Sequence, residues 1–190
     1  YSRSDGGSLA FDGTNDYLQV SSFNFNSENE FTLEAFVKLN NVSGAKNIIK
    51  KNTSNDYWPI FQMNVNGANL EGYYSSAVYG ACLEGAYTTN NPFSANTWYH
   101  VAFSKGTAGY TSMKLYINGS SVSYTNYLYG SHVNTLATSS KPIHIGINFD
   151  TPNYIQPLNG NIANVRCYNR QLTDTEISQN FNAQRSRFGI

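Results

Sequence analysis

Phe31-Thr32-Leu33-Glu34-Ala35-Phe36-Val37-Lys38-Leu39 decides the fold class. Its odd-numbered residues, Phe31, Leu33, Ala35, Val37 and Leu39, are apolar, and Thr32, Glu34, Phe36 and Lys38 alternate with them. Period two sends these sets to opposite faces of an extended chain, so the stretch predicts a strand with one face on a core. The pattern recurs at Phe61, Met63 and Val65, at Tyr99, Val101 and Phe103, at Met113, Leu115 and Ile117, and at Ile143, Ile145 and Ile147. A briefer instance at Leu18 and Val20 predicts the same inward placement. Turn residues separate the runs: Asn66-Gly67 and Asn118-Gly119 predict hairpins, and Asp12-Gly13 and Asn159-Gly160 predict further turns. One helix is expected at about 173–184. Thr173-Asp174-Thr175-Glu176 has the form of a capping box, and Ile177 and Phe181 follow on one face. In the tail, 185–190, Arg185 and Arg187 are expected to favour the negative end of that helix. With no long repeat and no linker, residues 1–190 read as one all-β domain.

Composition narrows the partners. Charged residues make up 13% of the chain and the formal net charge is zero, so there is no basic field for nucleic acid or an anionic membrane. No apolar run reaches the roughly 20 residues of a membrane-spanning helix. The chain starts at Tyr1 without a signal peptide, which reads as a processed protein, an excised domain or the ordered part of something longer. Cys82 and Cys167 are either two buried thiols or one long-range disulfide. Asn-X-Ser/Thr sequons at Asn41, Asn52 and Asn118 fit an extracellular setting and name possible glycosylation sites.

A series of segments runs in chain order: Ser8-Leu9-Ala10-Phe11-Asp12-Gly13, Asn15-Asp16-Tyr17-Leu18-Gln19-Val20 and the strand 31–38. It continues through Trp98-Tyr99-His100-Val101-Ala102, Leu115-Tyr116-Ile117-Asn118-Gly119 and Ile143-His144-Ile145-Gly146. It closes with Leu158 to Ile162 and Val165 to Leu172, reaching Glu176-Ile177. Together these segments resemble the laminin-G-like branch of the concanavalin A-like lectin/glucanase superfamily, with Phe36 where the family often has Trp. The resemblance implies a two-sheet antiparallel jelly-roll sandwich with one short C-terminal helix. The opening and the tail, Asn180 to Ile190, are also similar to such domains in environmental phage structural proteins.

The superfamily's glucanases resemble one another in carrying Glu, Asp and Glu on alternate residues of one strand. The nearest match is Glu30, Thr32 and Glu34, with Thr at the centre. Residues four apart on a strand stand about 13 Å apart at Cα, and retaining hydrolysis needs carboxyls about 5–5.5 Å apart. Glu34 therefore reads as a solvent-face residue and Glu30 as part of the preceding turn. No zinc spacing, nucleophile–base pair or phosphate loop is recognisable, and the expectation is a protein that is not an enzyme, with a glycan hydrolase of the same fold as the residual alternative.

The resemblance also implies calcium held by loop carboxylates and carbonyls, with sugar bound nearby. The family's acidic pair is replaced by Ala163-Asn164, which removes charge that a hard cation favours. Asp56 and Asp150 are the loop carboxylates left for a metal. Tyr57, Trp58, Tyr73, Tyr74, Tyr127, Tyr129 and Tyr154 are the candidate ligand-binding residues, because flat amphipathic rings stack on sugar C–H surfaces. Tyrosine is also a common strand residue, so each of these equally fits packing on a sheet.

Two functions follow as expectations. One is a glycan-binding or adhesion module displayed on a virion, as tail fibre or capsid decoration, or on an extracellular appendage. The other is a self-assembling capsid or filament subunit whose partners are protein copies.

Overall fold

The structure, a computed structural model, describes residues 6–25, 29–54, 58–75, 82–131, 135–150 and 154–190; the side chains of Tyr110, Asp150, Tyr154 and Ile155 lie outside that set. Two antiparallel sheets face each other. The six-stranded sheet is built from β1 (Leu9–Asp12), β3 (Phe31–Leu39), β8 (Trp98–Lys105), β9 (Lys114–Ile117), β10 (Ser120–Val122) and β15 (Asn159–Tyr168). Their order in space is β1-β15-β3-β8-β9-β10. The seven-stranded sheet comprises β2 (Leu18–Val20), β4 (Ala45–Asn52), β5 (Pro59–Asn66), β6 (Asn69–Ser75), β7 (Cys82–Tyr87), β11 (Thr125–Gly130) and β12 (Ile143–Ile145). It runs β11-β7-β6-β5-β4-β12-β2. A small hairpin joins β13 (Phe149–Asp150) to β14 (Tyr154–Ile155), and the helix α1 spans Asp174–Asn182.

The predicted inward faces meet between the sheets. Phe31, Leu33, Ala35, Val37 and Leu39 share one cluster with Phe61, Met63, Val65, Val101, Phe103, Met113, Leu115, Ile117, Ile143 and Ile145. Burying a large apolar side chain contributes roughly 1.5–3 kcal/mol, so this interdigitated layer is the main source of stability. Leu18 and Val20 depart from the expectation, being 41% and 43% exposed. They lie on an edge strand, where the opposite sheet no longer covers the inward face.

Two turn predictions also shift. Asn118 and Gly119 have φ of 51° and 76° and make the expected hairpin, but the β5–β6 turn centres on Gly67 and Ala68, at 54° and 68°. Asn159-Gly160 lies inside β15 rather than in a turn. A Cβ at Gly160 would come within 2.1 Å of the Lys38 carbonyl oxygen, so glycine is there for close strand approach.

The C-terminus seals the outer face of the six-stranded sheet. The Thr173 side chain accepts the Glu176 N–H and the Glu176 carboxylate accepts the Thr173 N–H, completing the capping box. Arg170 grips Glu176 through two hydrogen bonds of 2.8 and 2.6 Å, which with the cap holds the Glu176 carboxyl down at about 2. Ile177 packs with Ala102, Tyr116 and Leu172. Phe188 stacks on Phe36 with ring centroids 4.4 Å apart and touches Trp98 at 4.6 Å. Arg185 lies over the Phe181 ring, and Arg187 donates to the Gly6 carbonyl at 2.7 Å.

This seal overturns the solvent-face reading of Glu34. The residue is buried beneath α1 with His100, whose Nε2 lies 3.3 Å from Oε1 without hydrogen-bond geometry. Glu34 Oε2 accepts Asn180 Nδ2 at 2.9 Å, and Arg166 stands 3.9 Å away. Thr32, at the centre of the broken triplet, clamps the segment leading to α1. Its hydroxyl donates to the Arg170 carbonyl and accepts the Leu172 N–H, both at 2.9 Å.

Candidate functional site

The outer face of the seven-stranded sheet is where the sequence-predicted aromatics separate. Tyr73 and Tyr74 are neighbours on β6, so strand alternation sends them to opposite faces. Tyr74 points inward, is fully buried against Phe31, and donates its hydroxyl to Glu84. Tyr74 is therefore a core residue, not a binding residue. Tyr73 points outward. Register carries that face from Tyr73 through Gly85 on β7 to Tyr127 on β11.

Gly85 makes the geometry possible. A Cβ there would stand 2.3 Å from Tyr73 Cδ1, so the Tyr73 ring lies over bare backbone. Tyr127 meets it edge-on, with centroids 5.9 Å apart and planes at 86°. Two residues along β11, Tyr129 is 53% exposed and pairs with Trp58, 5.4 Å between centroids. The two pairs form a stepped aromatic ledge along the β11 side of the sheet.

Polar groups flank the ledge. Glu71, two residues before Tyr73 and therefore on its face, accepts Asn64 Nδ2 at 2.7 Å and Asn66 Nδ2 at 3.1 Å. Burial pushes the Glu71 carboxyl up, against the pull of hydrogen bonds from Asn64, Asn66 and Tyr73. The Tyr73 phenol is held well above its ordinary value, first by burial and then by the Glu71 charge. Asn64 Oδ1 and Ser75 Oγ are buried on β5 and β6 without a hydrogen-bond partner. Buried polar atoms of this kind mark places where a water or a ligand hydroxyl completes the bonding. Glu71, Asn64 and Gly85 were missed in the sequence. The signal was present: the hairpin at Gly67 sets Asn64 opposite Glu71, and alternation puts Glu71 beside Tyr73.

The remaining predicted residues distribute as follows. Asp56 and Tyr57 lie outside the described residues, and so do the side chains of Asp150 and Tyr154, whose backbones pair across β13–β14. The position of the family's acidic pair is a β-bulge, with Ala163 buried and Asn164 at φ 51° donating to Gln184 Oε1. No carboxylate belongs to it, so these residues do not fit a hard cation. Among the described residues there is no group of three His, Cys, Asp or Glu side chains that could hold a metal ion.

Cys82 on β7 and Cys167 on β15 are both free thiols, so no disulfide joins them. The Cys82 sulfur is 3.2 Å from Glu84 Oε1, and burial pushes the Cys167 thiol up to about 12. Of the sequons, Asn41 is exposed, Asn118 is half-buried with Oδ1 accepting the His100 N–H, and Asn52 is buried with Nδ2 on the Phe149 carbonyl. A cleft of about 430 Å³ opens at the other edge of the sandwich, lined by Leu9, Phe11, Leu18, Ile145, Ile162 and Val165 among others. None of the predicted ligand-binding residues lines it.

This frame, two sheets with a capped terminal helix, agrees with what the chain is similar to. The family model of the Concanavalin A-like lectin/glucanases superfamily matches residues 12–178, and the chain belongs to that superfamily. No curated protein matches the sequence. Among solved structures, the receptor binding domain of botulinum neurotoxin C/D mosaic serotype shares 18% identity at a TM-score of 0.66, over 93% of this chain and 42% of that one. A Bacteroides ovatus protein assigned provisionally to carbohydrate binding shares 17% at 0.65, over 90% and 47%. A Trypanosoma rangeli sialidase shares 17% at 0.64, over 97% and 28%. The chain thus spans less than half the length of each of these three, and at such identities the likeness is one of fold.

Proposed function

We propose that the chain is a non-catalytic carbohydrate-recognition module that works outside the cell, with its ligand on the aromatic ledge. The observation that carries this reading is the convergence of Tyr73, Tyr127, Tyr129 and Trp58 with the Glu71, Asn64 and Asn66 side chains on one sheet face. Rings stack on the C–H face of a sugar, while a carboxylate and amides exchange hydrogen bonds with its hydroxyls. Two fold neighbours, a receptor binding domain and a protein assigned provisionally to carbohydrate binding, support it. Against catalysis stands the fate of the Glu30-Thr32-Glu34 strand, whose outer face is occupied by α1 and the 170–172 segment. The exposed Asn41 sequon suits a surface-displayed protein, and display on a virion or an extracellular appendage is the setting this reading proposes.

The test is a broad glycan-binding screen followed by titration of the best ligand against wild type and Tyr127→Ala. The expected result is selective binding that weakens about tenfold in the variant. A screen without a ligand, or a ligand indifferent to Tyr127 and Trp58, overturns the assignment.

A further inference from the structure

Each large sheet ends in two edge strands, whose outward backbone N–H and C=O groups lack a ladder partner. Among the described residues these edges differ sharply. β1 has four residues, β2 and β10 have three each, and α1 packs beside β10. β11 runs for six residues, Thr-Asn-Tyr-Leu-Tyr-Gly, and all six are exposed. Leu128 is 47% exposed, between two tyrosines that are themselves open to solvent. The strand contains no charge and no proline, and its register with β7 is free of bulges. Charge, proline, bulges and a packed helix are devices by which edges ordinarily discourage pairing, and among the described residues β11 shows none of them.

We propose that β11 pairs with β11 of a second copy of this chain, antiparallel across a two-fold axis, joining the two seven-stranded sheets edge to edge. The strand itself argues for this occupant. A two-fold axis at Leu128 sets that residue against the partner's Leu128, and it sets Tyr127 against the partner's Tyr129, twice by symmetry. Cross-strand aromatic and aliphatic pairs of this kind contribute roughly 0.2–1 kcal/mol each. The uncharged strand meets its own copy without repulsion, and the chain's net charge of zero adds none. An unrelated peptide gains the same backbone bonds but not this matched set of side chains. A single strand edge is a small interface, which places the dissociation constant in roughly the micromolar range or above. Tyr127 and Tyr129 share their face with Tyr73, so the dimer lays two aromatic ledges side by side. That last consequence rests on the glycan reading; the dimer does not.

Sedimentation velocity without ligand, from about 1 μM to about 1 mM, tests the pairing. Wild type is expected to pass from the mass of one chain to that of two. Leu128→Lys sets two ammonium groups against each other and is expected to stay at one chain throughout, with an unchanged melting temperature. Leu128→Cys is expected to form a disulfide-linked dimer on mild oxidation. Wild type that remains a single chain at the highest concentration overturns the proposal. So does a Leu128→Lys protein that dimerises like wild type, or a species that grows beyond two chains. No glycan enters this measurement, so its failure is separate from failure of the ligand titration.

Discussion

The outer faces of the two sheets begin from the same sequence pattern and end in opposite states. Both alternate with a core face, and both carry a carboxylate and aromatic side chains. On the six-stranded sheet, Phe36, Trp98, Glu34 and His100 are covered by α1 and by Phe188. On the seven-stranded sheet, Tyr127 and Tyr129 stay open near Tyr73 and Glu71. A sheet face becomes structural or functional according to what the chain lays over it, not according to its own composition. The sealed face stabilises the sandwich, and the open face leaves Tyr127 and Tyr129 exposed to solvent.

The comparison is broken most forcefully at Phe188. Phe188→Ala should remove about 3–5 kcal/mol of stability, read by chemical denaturation, because it empties the contact with Phe36 and Trp98. Glycan affinity of the folded fraction should not change. Glu34→Ala should cost about 2 kcal/mol, since it empties a buried site under the helix and removes one of the two acceptors of Asn180 Nδ2, leaving only the Tyr168 hydroxyl. A smaller effect of opposite type is expected on the open face. Trp58→Ala should lower ligand affinity by about 1–1.5 kcal/mol in calorimetry and shift the melting temperature little.

Proton linkage sharpens the contrast within the core and along the loops. Burial lowers the Lys51 and Lys105 ammonium groups to about 8 from an ordinary 10.5. Between those values the unfolded chain holds more protons, so stability should rise with pH from about 8 toward 10, by an amount on the order of 1 kcal/mol per lysine. Above 10 the trend should reverse. Tyr73, Tyr74 and Tyr116 keep their protons in the folded state, where burial raises them, and lose them first on unfolding. Denaturation midpoints across this range check both signs, and Lys51→Met should flatten the rise. The smallest expected effect is at the cap: Thr173→Ala should cost about 1 kcal/mol, seen in thermal melts.

These residues also show how far the sequence could be read. The inward faces and the capping box were legible because each depends on local spacing, period two for Leu33 and Phe61 and three residues for Thr173 and Glu176. What covers a face depends on contacts more than a hundred positions apart, such as Asn180 with Glu34. Hence Glu34 read as solvent-facing. The aromatic residues were sorted by the same kind of long-range information. Tyr73 and Tyr74 are the same residue type one position apart, and only the register with Gly85 and Glu84 tells the ring on the ledge from the ring in the core. Leu18 and Val20 were misplaced because alternation does not reveal which strand is an edge.

The Arg187 guanidinium on the Gly6 carbonyl, with the Phe188 ring packed against the Gly6 backbone, brings the two extremities of the described chain together on the sealed face. For protein engineering this is an orientation rule. A tether, label or fused partner attached at Ile190 projects from the side opposite the aromatic ledge, so immobilisation there leaves the ledge presented to solution. The same proximity makes the domain a candidate for circular permutation, Gly6 and Ile190 joined by a few residues and a new opening made at the turn beside the exposed Asn66 and Gly67.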